Sequence, residues 1–450
     1  MLPVVNFREQ LDFLEREGLV RHFTKPVEAK FELSAVAKKL EEGPALFFEN
    51  VAGYDMPVVI GTDNSRARIA KALGVDNSGL NELYANAIQN PLAPEIVNDG
   101  PVKENVIESG IDLLKLLPIP IHHEKNAGHY ITTGLFVAED EETGVRNVSY
   151  HRLQVTGKNE LRAMMLKRHL WQMVQEHWAR GKALPVAISI GNDIAVRLAA
   201  ATWGSKIPYG FDEFSIAGAM RGKAVPLVKC RTNCVHVPAD CEIVIEGRIE
   251  PGAIGPEGGF AELTGNYAAA GEGYIIKVDA ITHRTKPIFQ DLLVFTPEHH
   301  LLLGLPLEAP LYMSVKGAVP GLVAAHVTPG GCGKFHAVLS IRKKLPGDAR
   351  DAIIAGFYSV RDIKLVTVVD HDVDPFSPRE VEWAVATRFQ ADRDVLVVSG
   401  ANGNALDHSC PERAVTAKMG IDATYPLGRD DYYEKIRVPG EDTVDPSDYD

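Results

Sequence analysis

The chain is short of three things, and each shortage closes a class of function. It lacks a basic excess: 47 lysines and arginines face 60 aspartates and glutamates, a formal net charge of −13 over 450 residues. A surface that binds nucleic acid by displacing counterions needs the opposite balance, so no nucleic-acid partner is expected and any phosphate must be held locally. It has only five cysteines, and Cys230, Cys234 and Cys241 form neither a C-x2-C pair nor a matched second pair. That excludes a zinc knuckle and leaves the thiols as small packing residues. It has no apolar run near the roughly 20 residues a membrane helix requires, and Arg8 and Glu9 interrupt the start, so neither a membrane span nor a leader is expected. Cytoplasmic localisation follows as the expectation.

What is present divides along the chain. Residues 6–18 predict an amphipathic helix capped by Asn6, with Phe7, Leu11 and Leu14 on one face and Gly18 at its end. Strand-like Ala45–Phe48 and 57–60, then a helix ending at Gly74, predict a small α/β subdomain. Residues 75–130 read as a long connection. From 130 to 300 strands dominate, interrupted by one helix at 167–180, which favours a barrel or sandwich. After about 305 a mixed pattern returns. A strand at 363–369 enters Asp370-His371-Asp372-Val373-Asp374, and Ser377-Pro378-Arg379-Glu380 opens a helix. The acidic stretch 439–450 has too few large apolar groups to pack and reads as a tail.

Three loops invite a site, and two fail on spacing. Asp370 to Asp374 starts like a calcium loop, but Pro375 and Val381 stand where glycine and a bidentate glutamate are needed, leaving a solvated strand end. Gly330-Gly331-Cys332-Gly333-Lys334 lacks the phosphate-loop spacing, and Phe335 replaces the hydroxyl; it remains a loop through which backbone approaches a neighbour. The third, Gly255 to Gly265, carries Glu257 and Glu262 between glycines, which present carboxylates either to solvent or to a cavity. Upstream, alternation in Asn147-Val148-Ser149-Tyr150-His151-Arg152 sends Asn147, Ser149 and His151 to one face and Val148, Tyr150 and Arg152 to the other. His169, at a helix start, and Glu213, after a Pro-Tyr-Gly-Phe-Asp turn, add metal-compatible donors.

In this order, together with Ala217 to Met220, Val228 to Gly247 and Lys418 to Ala423, these stretches resemble the UbiD family of prenylated-flavin decarboxylases. The resemblance runs from the first helix to about Pro426. It implies an α+β fold: a split β-barrel flavin-binding catalytic domain over 1–305 and a C-terminal α/β oligomerisation domain over 306–438. It implies prenylated FMN, a divalent ion, usually Mn2+, and a nearby K+ whose ligands are left unassigned. Carried over residue by residue, Asn147, His169 and Glu213 hold the metal. Tyr150, His151, Arg152, Met164, Met165, Leu166, Arg168 and Lys418 join Asn147 and His169 around the cofactor. Arg152, Glu257 and Glu262 are the catalytic set: Arg152 orients the carboxylate, Glu257 fixes Arg152, and Glu262 donates the proton.

The expected reaction is reversible, non-oxidative decarboxylation of an aromatic, heteroaromatic or α,β-unsaturated acid. The polarity of Thr296 to His300 and of the Lys334 loop leans toward a heteroaromatic or hydroxylated aromatic substrate. A flavin prenyltransferase is the expected cofactor supplier, and a homodimer or homohexamer the expected assembly. The competing readings are an FMN oxidoreductase on a split barrel, a metal-dependent hydrolase, and a non-enzymatic assembly protein. No G-x-G-x-x-G follows a strand to supply a nicotinamide site.

Overall fold

The computed structural model describes all residues except 1, 205–206, 411–413, 437, 441–442, 446–448 and 450. The predicted first helix is Phe7–Arg16. The Asn6 side chain accepts from the Glu9 amide and Gly18 takes φ +67°, as a left-handed helix exit requires. Strands Val20–Phe23, Ala45–Phe48 and Val58–Ile60 form a four-stranded sheet whose last member, Phe289–Asp291, arrives from far downstream and pairs in parallel with Val58–Ile60. The N-terminal unit is therefore stitched to the rest by backbone.

The central ten-stranded sheet has a main path running Tyr130–Ile131, Leu153–Gly157, Glu160–Ala163, Gly271–His283, Ile243–Ile249, Leu184–Ile190, Leu135–Glu139, Arg146–Tyr150. One connection fixes its shape. Arg146–Tyr150 ends the path and Leu153–Gly157 lies six strand spacings away, on the order of 29 Å if flat. Yet only His151 and Arg152 separate them, a reach of roughly 11 Å. The sheet must curl until its ends nearly meet. No ladder pairing joins those ends among the described residues, so the curl is open and no closed barrel forms. His151 and Arg152 lie at this seam.

The 22-residue helix Pro297–Ala318, with Pro306 and Pro310 inside it, leaves the central sheet and packs on a five-stranded C-terminal sheet. That sheet is ordered Leu322–Val327, His336–Ile341, Leu365–Asp370, Val415–Ala423, Val395–Asn402, with helices Asp348–Ser359 and Pro378–Arg388. The helix runs through residue 305 without a break. Glu308 on it is buried and accepts from Arg66 Nη1 at 2.6 Å, Asn81 Nδ2 at 2.9 Å and the Val327 amide at 3.0 Å, tying N-terminal helices to the C-terminal sheet. No helix among the described residues is long and apolar enough to cross a membrane.

Several expectations are corrected. Residues 75–130 are not a plain connection: they hold helix Gly79–Gln89, strands Glu95–Val97 and Asn105–Ile107, and helix Leu113–Leu116. The strand region contains two further helices, Ile194–Ala200 and Phe214–Arg221, whose residues are almost all buried and so show no polar face. Asp370 is not solvated: it is 2% exposed and meets Arg388 Nη1 at 2.9 Å, because the downstream helix folds its arginine back over the strand end. The acidic stretch 439–450 falls partly outside the described residues. The five cysteines are free, Cys230 and Cys241 buried.

Candidate active site

The seam places Arg152 where three elements converge. Its Nε and Nη2 donate to Glu257 Oε1 and Oε2, each at 2.7 Å, a two-point contact that fixes the guanidinium plane. Nη1 donates to Glu262 Oε1 at 2.5 Å. Glu257 ends strand Ile254–Glu257, which pairs with Gly271–His283, and its side chain is fully buried. The glycine after it is obligatory, since a Cβ on Gly258 would overlap Ala127. Phe260 lies 5.2 Å under the Arg152 guanidinium and 4.6 Å from Tyr130, giving the cluster an apolar wall.

One cation thus faces two carboxylates, and they differ. Glu262 keeps 16% side-chain exposure; burial raises its carboxyl pKa, and Arg152 pulls the other way. Of the two, Glu262 is the more exposed and meets Arg152 through one bond where Glu257 meets it through two. On the other face of the strand, Ser149 Oγ lies 3.1 Å from His151 Nε2 and 3.3 Å from Asn147 Oδ1, so the predicted alternation holds even though the strand stops at Tyr150. His151 Nδ1 donates to Met164 O at 3.1 Å, and burial lowers its pKa to about 4, so the ring is neutral at pH 7. Met165 packs on the core while Leu166 is 57% exposed.

Asn147 Nδ2 and the Val148 amide donate to Glu213 Oε1 and Oε2 at 3.0 and 2.8 Å. Both donors are neutral, and burial pushes this carboxyl up to about 8. A carboxylate so placed lacks a positive charge, which a bound cation would supply. His169 starts helix His169–Ala179, which packs on the Asn147 strand, and its ring meets Tyr209 edge-on at 5.8 Å. Among the described residues, no three His, Cys, Asp or Glu groups stand together as a metal site.

A second charged cluster was only partly visible in the sequence. Arg168 lies 4.2 Å over the Trp203 ring and Lys334 5.8 Å over the same ring. Lys334 is 9% exposed and 3.5 Å from the buried Asp362, neither of whose oxygens has a hydrogen-bond partner. Lys418 donates to the Arg361 and Phe357 carbonyls at 2.8 and 3.5 Å, and Asp362 acts on it electrostatically. With Arg361 Nε 4.0 Å from the same carboxylate, four cations surround Asp362 and leave a positive surplus suited to a phosphate. The glycine-rich loop before Lys334 was the available signal; Trp203 and Asp362 gave none.

Comparison with known proteins identifies the family. Profiles of the 3-octaprenyl-4-hydroxybenzoate carboxy-lyase N-terminal, Rift-related and C-terminal domains match residues 11–88, 95–297 and 300–423. The chain belongs to the UbiD family and is a decarboxylase. It is 36% identical over 442 residues to the anhydromevalonate phosphate decarboxylase of Methanosarcina mazei, covering 97% of this chain and all of that one. Gallate decarboxylase of Lactiplantibacillus plantarum is 33% identical over 432 residues, covering 89% and 88%. The UbiD-class enzyme HmfF from Pelotomaculum thermopropionicum, solved with FMN, superposes at TM-score 0.94 with 45% identity, covering 99% and 100%. An evolved dimeric form of it, solved with prFMN, superposes at 0.90 with 42% identity and the same coverage. Membership sets aside the oxidoreductase, hydrolase and non-enzymatic readings. Independently of that, the geometry brings Arg152, Glu257 and Glu262 within hydrogen-bond distance of one another.

Proposed function

We propose that this UbiD enzyme decarboxylates, reversibly, an aromatic, heteroaromatic or α,β-unsaturated acid with prenylated FMN held at the seam of the curled sheet. The observation that carries the reading is the Arg152 guanidinium held between a buried and a half-buried glutamate. Glu257 occupies Nε and Nη2, so the Nη1 edge is left for the substrate carboxylate, and Glu262 is the group that must yield it. When bound, prenylated FMN supplies an electrophilic sink for the electron pair released with CO2. Once displaced from Arg152, Glu262 takes up a proton from solvent and delivers it to the carbon that has lost CO2, and the resulting carboxylate returns to Arg152 Nη1. Phe260 and Tyr130 keep water from that carbon.

For the cofactor phosphate, Arg168 and Lys334 offer the charge, with Lys418 behind them, while Tyr150, His151 and Met164 to Leu166 border the ring system. Asn147, His169 and Glu213 would hold a divalent ion such as Mn2+ against the phosphate, which suits a buried carboxylate lacking a cation. No residue is assigned to K+. The His169→Ala, Glu213→Ala double variant should lose metal and flavin together, read by metal analysis and flavin absorbance. Full flavin retention in a metal-free double variant would remove the assignment.

The split-barrel catalytic domain 1–305 and the oligomerisation domain 306–438 are kept in this reading. The second is supported by an edge strand, Val395–Asn402, that leaves Val397 and Val398 exposed to a second copy in a homodimer or homohexamer. Its setting is the cytoplasm, with a flavin prenyltransferase as supplier. The deciding experiment co-expresses the chain with such a prenyltransferase and screens hydroxybenzoates, furan and pyrrole carboxylates, cinnamates and a phosphorylated alkenoic acid for CO2 release. Polarity from Thr296 to His300 favours the heteroaromatic and hydroxylated acids. Release from none of the panel, with flavin bound, would reject the substrate class.

A further inference from the structure

A proton donor must stand at one place, and the Glu262 loop contributes a short hairpin, with Glu262 N donating to Asn266 O at 2.8 Å, Gly265 N to Glu262 O at 3.0 Å and Ala261 N to Asn126 Oδ1 at 3.0 Å. The ribbon formed by Phe260–Ala261 and Tyr267–Ala268 is two residues per strand, and Gly265 and Asn266 at its tip are exposed. A further restraint comes from residues 293–300, which lead from strand Phe289–Asp291 into the first turn of the long helix. His300, in the helix's first turn and 7% exposed, donates from Nε2 to the Leu263 carbonyl at 2.9 Å. Phe295, at φ +60°, lays its ring on Gly265, where a Cβ would come within 2.9 Å of the ring. The same ring meets the His300 imidazole edge-on at 5.5 Å and 78°. Lys38 donates to the Phe295 carbonyl at 3.0 Å and lies 5.0 Å over its ring.

The backbone of His300 faces the other sheet. Gly333, at φ +62°, is pressed on the His300 carbonyl so closely that any Cβ would overlap it, and Lys334 follows directly. His300 therefore touches the Glu262 loop with its ring and the C-terminal glycine loop with its main chain. We infer that His300, backed by Phe295, is a positioning residue for Glu262, setting the donor's place relative to Arg152 and to the C-terminal sheet. This rests on the reading of Glu262 as the donor.

The test uses flavin-loaded holoenzyme of Phe295→Ala, His300→Ala and His300→Gln beside Glu262→Gln. Amide hydrogen exchange across 258–268 should rise in the two alanine variants, with flavin absorbance unchanged. Their kcat should fall roughly 10-fold to 10²-fold, the scale of a small misplacement of a catalytic group, with KM nearly constant. Solvent deuterium incorporation into product should fall alongside. His300→Gln, whose amide can still donate to Leu263, should recover most of the loss. If His300→Ala fails to fold, Phe295→Ala, altering a ring that is 39% exposed, decides alone. Wild-type exchange and kcat in the alanine variants, beside an inactive Glu262→Gln, would overturn the positioning role only. A fully active Glu262→Gln would remove the donor reading itself.

Discussion

Arg152→Lys is expected to lower kcat/KM by roughly 10²-fold or more while the protein keeps its charge balance and its flavin. Arginine makes three bonds here with three different nitrogens, two to Glu257 and one to Glu262. An ammonium on a flexible stem can meet one carboxylate well, and the fully buried Glu257 will claim it because leaving that charge unpaired costs about 3–5 kcal/mol. Nothing then remains at the Nη1 position to orient a substrate carboxylate. The expected signature is a lower kcat and a higher KM at unchanged flavin absorbance. Near-normal turnover in the lysine variant would show that the planar two-point contact is not needed.

The parts of this site that were legible in sequence are those governed by local rules. Period-two alternation correctly put Asn147, Ser149 and His151 together, and capping chemistry located helices Phe7–Arg16 and Pro378–Arg388. The two glutamates five apart in a glycine-rich turn were visible as carboxylates to be presented somewhere. Where they point was not, because it depends on which strands pair. Nothing in residues 146–157 says that the strand before Arg152 and the strand after it lie at opposite ends of one sheet. Long-range ion pairs fail for the same reason: Arg388 reaches Asp370 across 18 residues, and Lys334 reaches Asp362 across a sheet strand. Helix Ile194–Ala200 was missed because every residue is buried, so no polar face marked its period.

That non-local pairing has a chemical consequence at the seam. In the proposed reading, the substrate's carboxylate and Glu262 compete for one guanidinium edge, so binding displaces Glu262, which takes up a solvent proton, and departure of CO2 restores the Arg152–Glu262 contact. Glu257 cannot play this part, being fully buried and held by two bonds. The asymmetry between the two glutamates therefore divides the labour.

Glu262→Gln tests that division most directly. Glutamine preserves the shape and can still accept from Arg152, so the cluster and flavin binding should survive, but it has no acidic proton to give. Decarboxylation should fall by roughly 10²-fold or more, the usual range for losing a positioned general acid. Incorporation of solvent deuterium at the former carboxylate carbon should fall in parallel. The pH dependence adds an independent check. Burial raises the Glu262 carboxyl above its ordinary value, against the opposing pull of Arg152, so the protonated form persists to higher pH than for a free glutamate. In the wild type, kcat should decline as pH rises through that raised pKa, because the fraction able to donate is lost. In the glutamine variant the residual rate should show no such limb, since the group that titrates is gone. A variant that kept wild-type turnover, exchange and the alkaline limb would place the donor elsewhere, on water or another side chain, and leave Glu262 as a structural partner of Arg152.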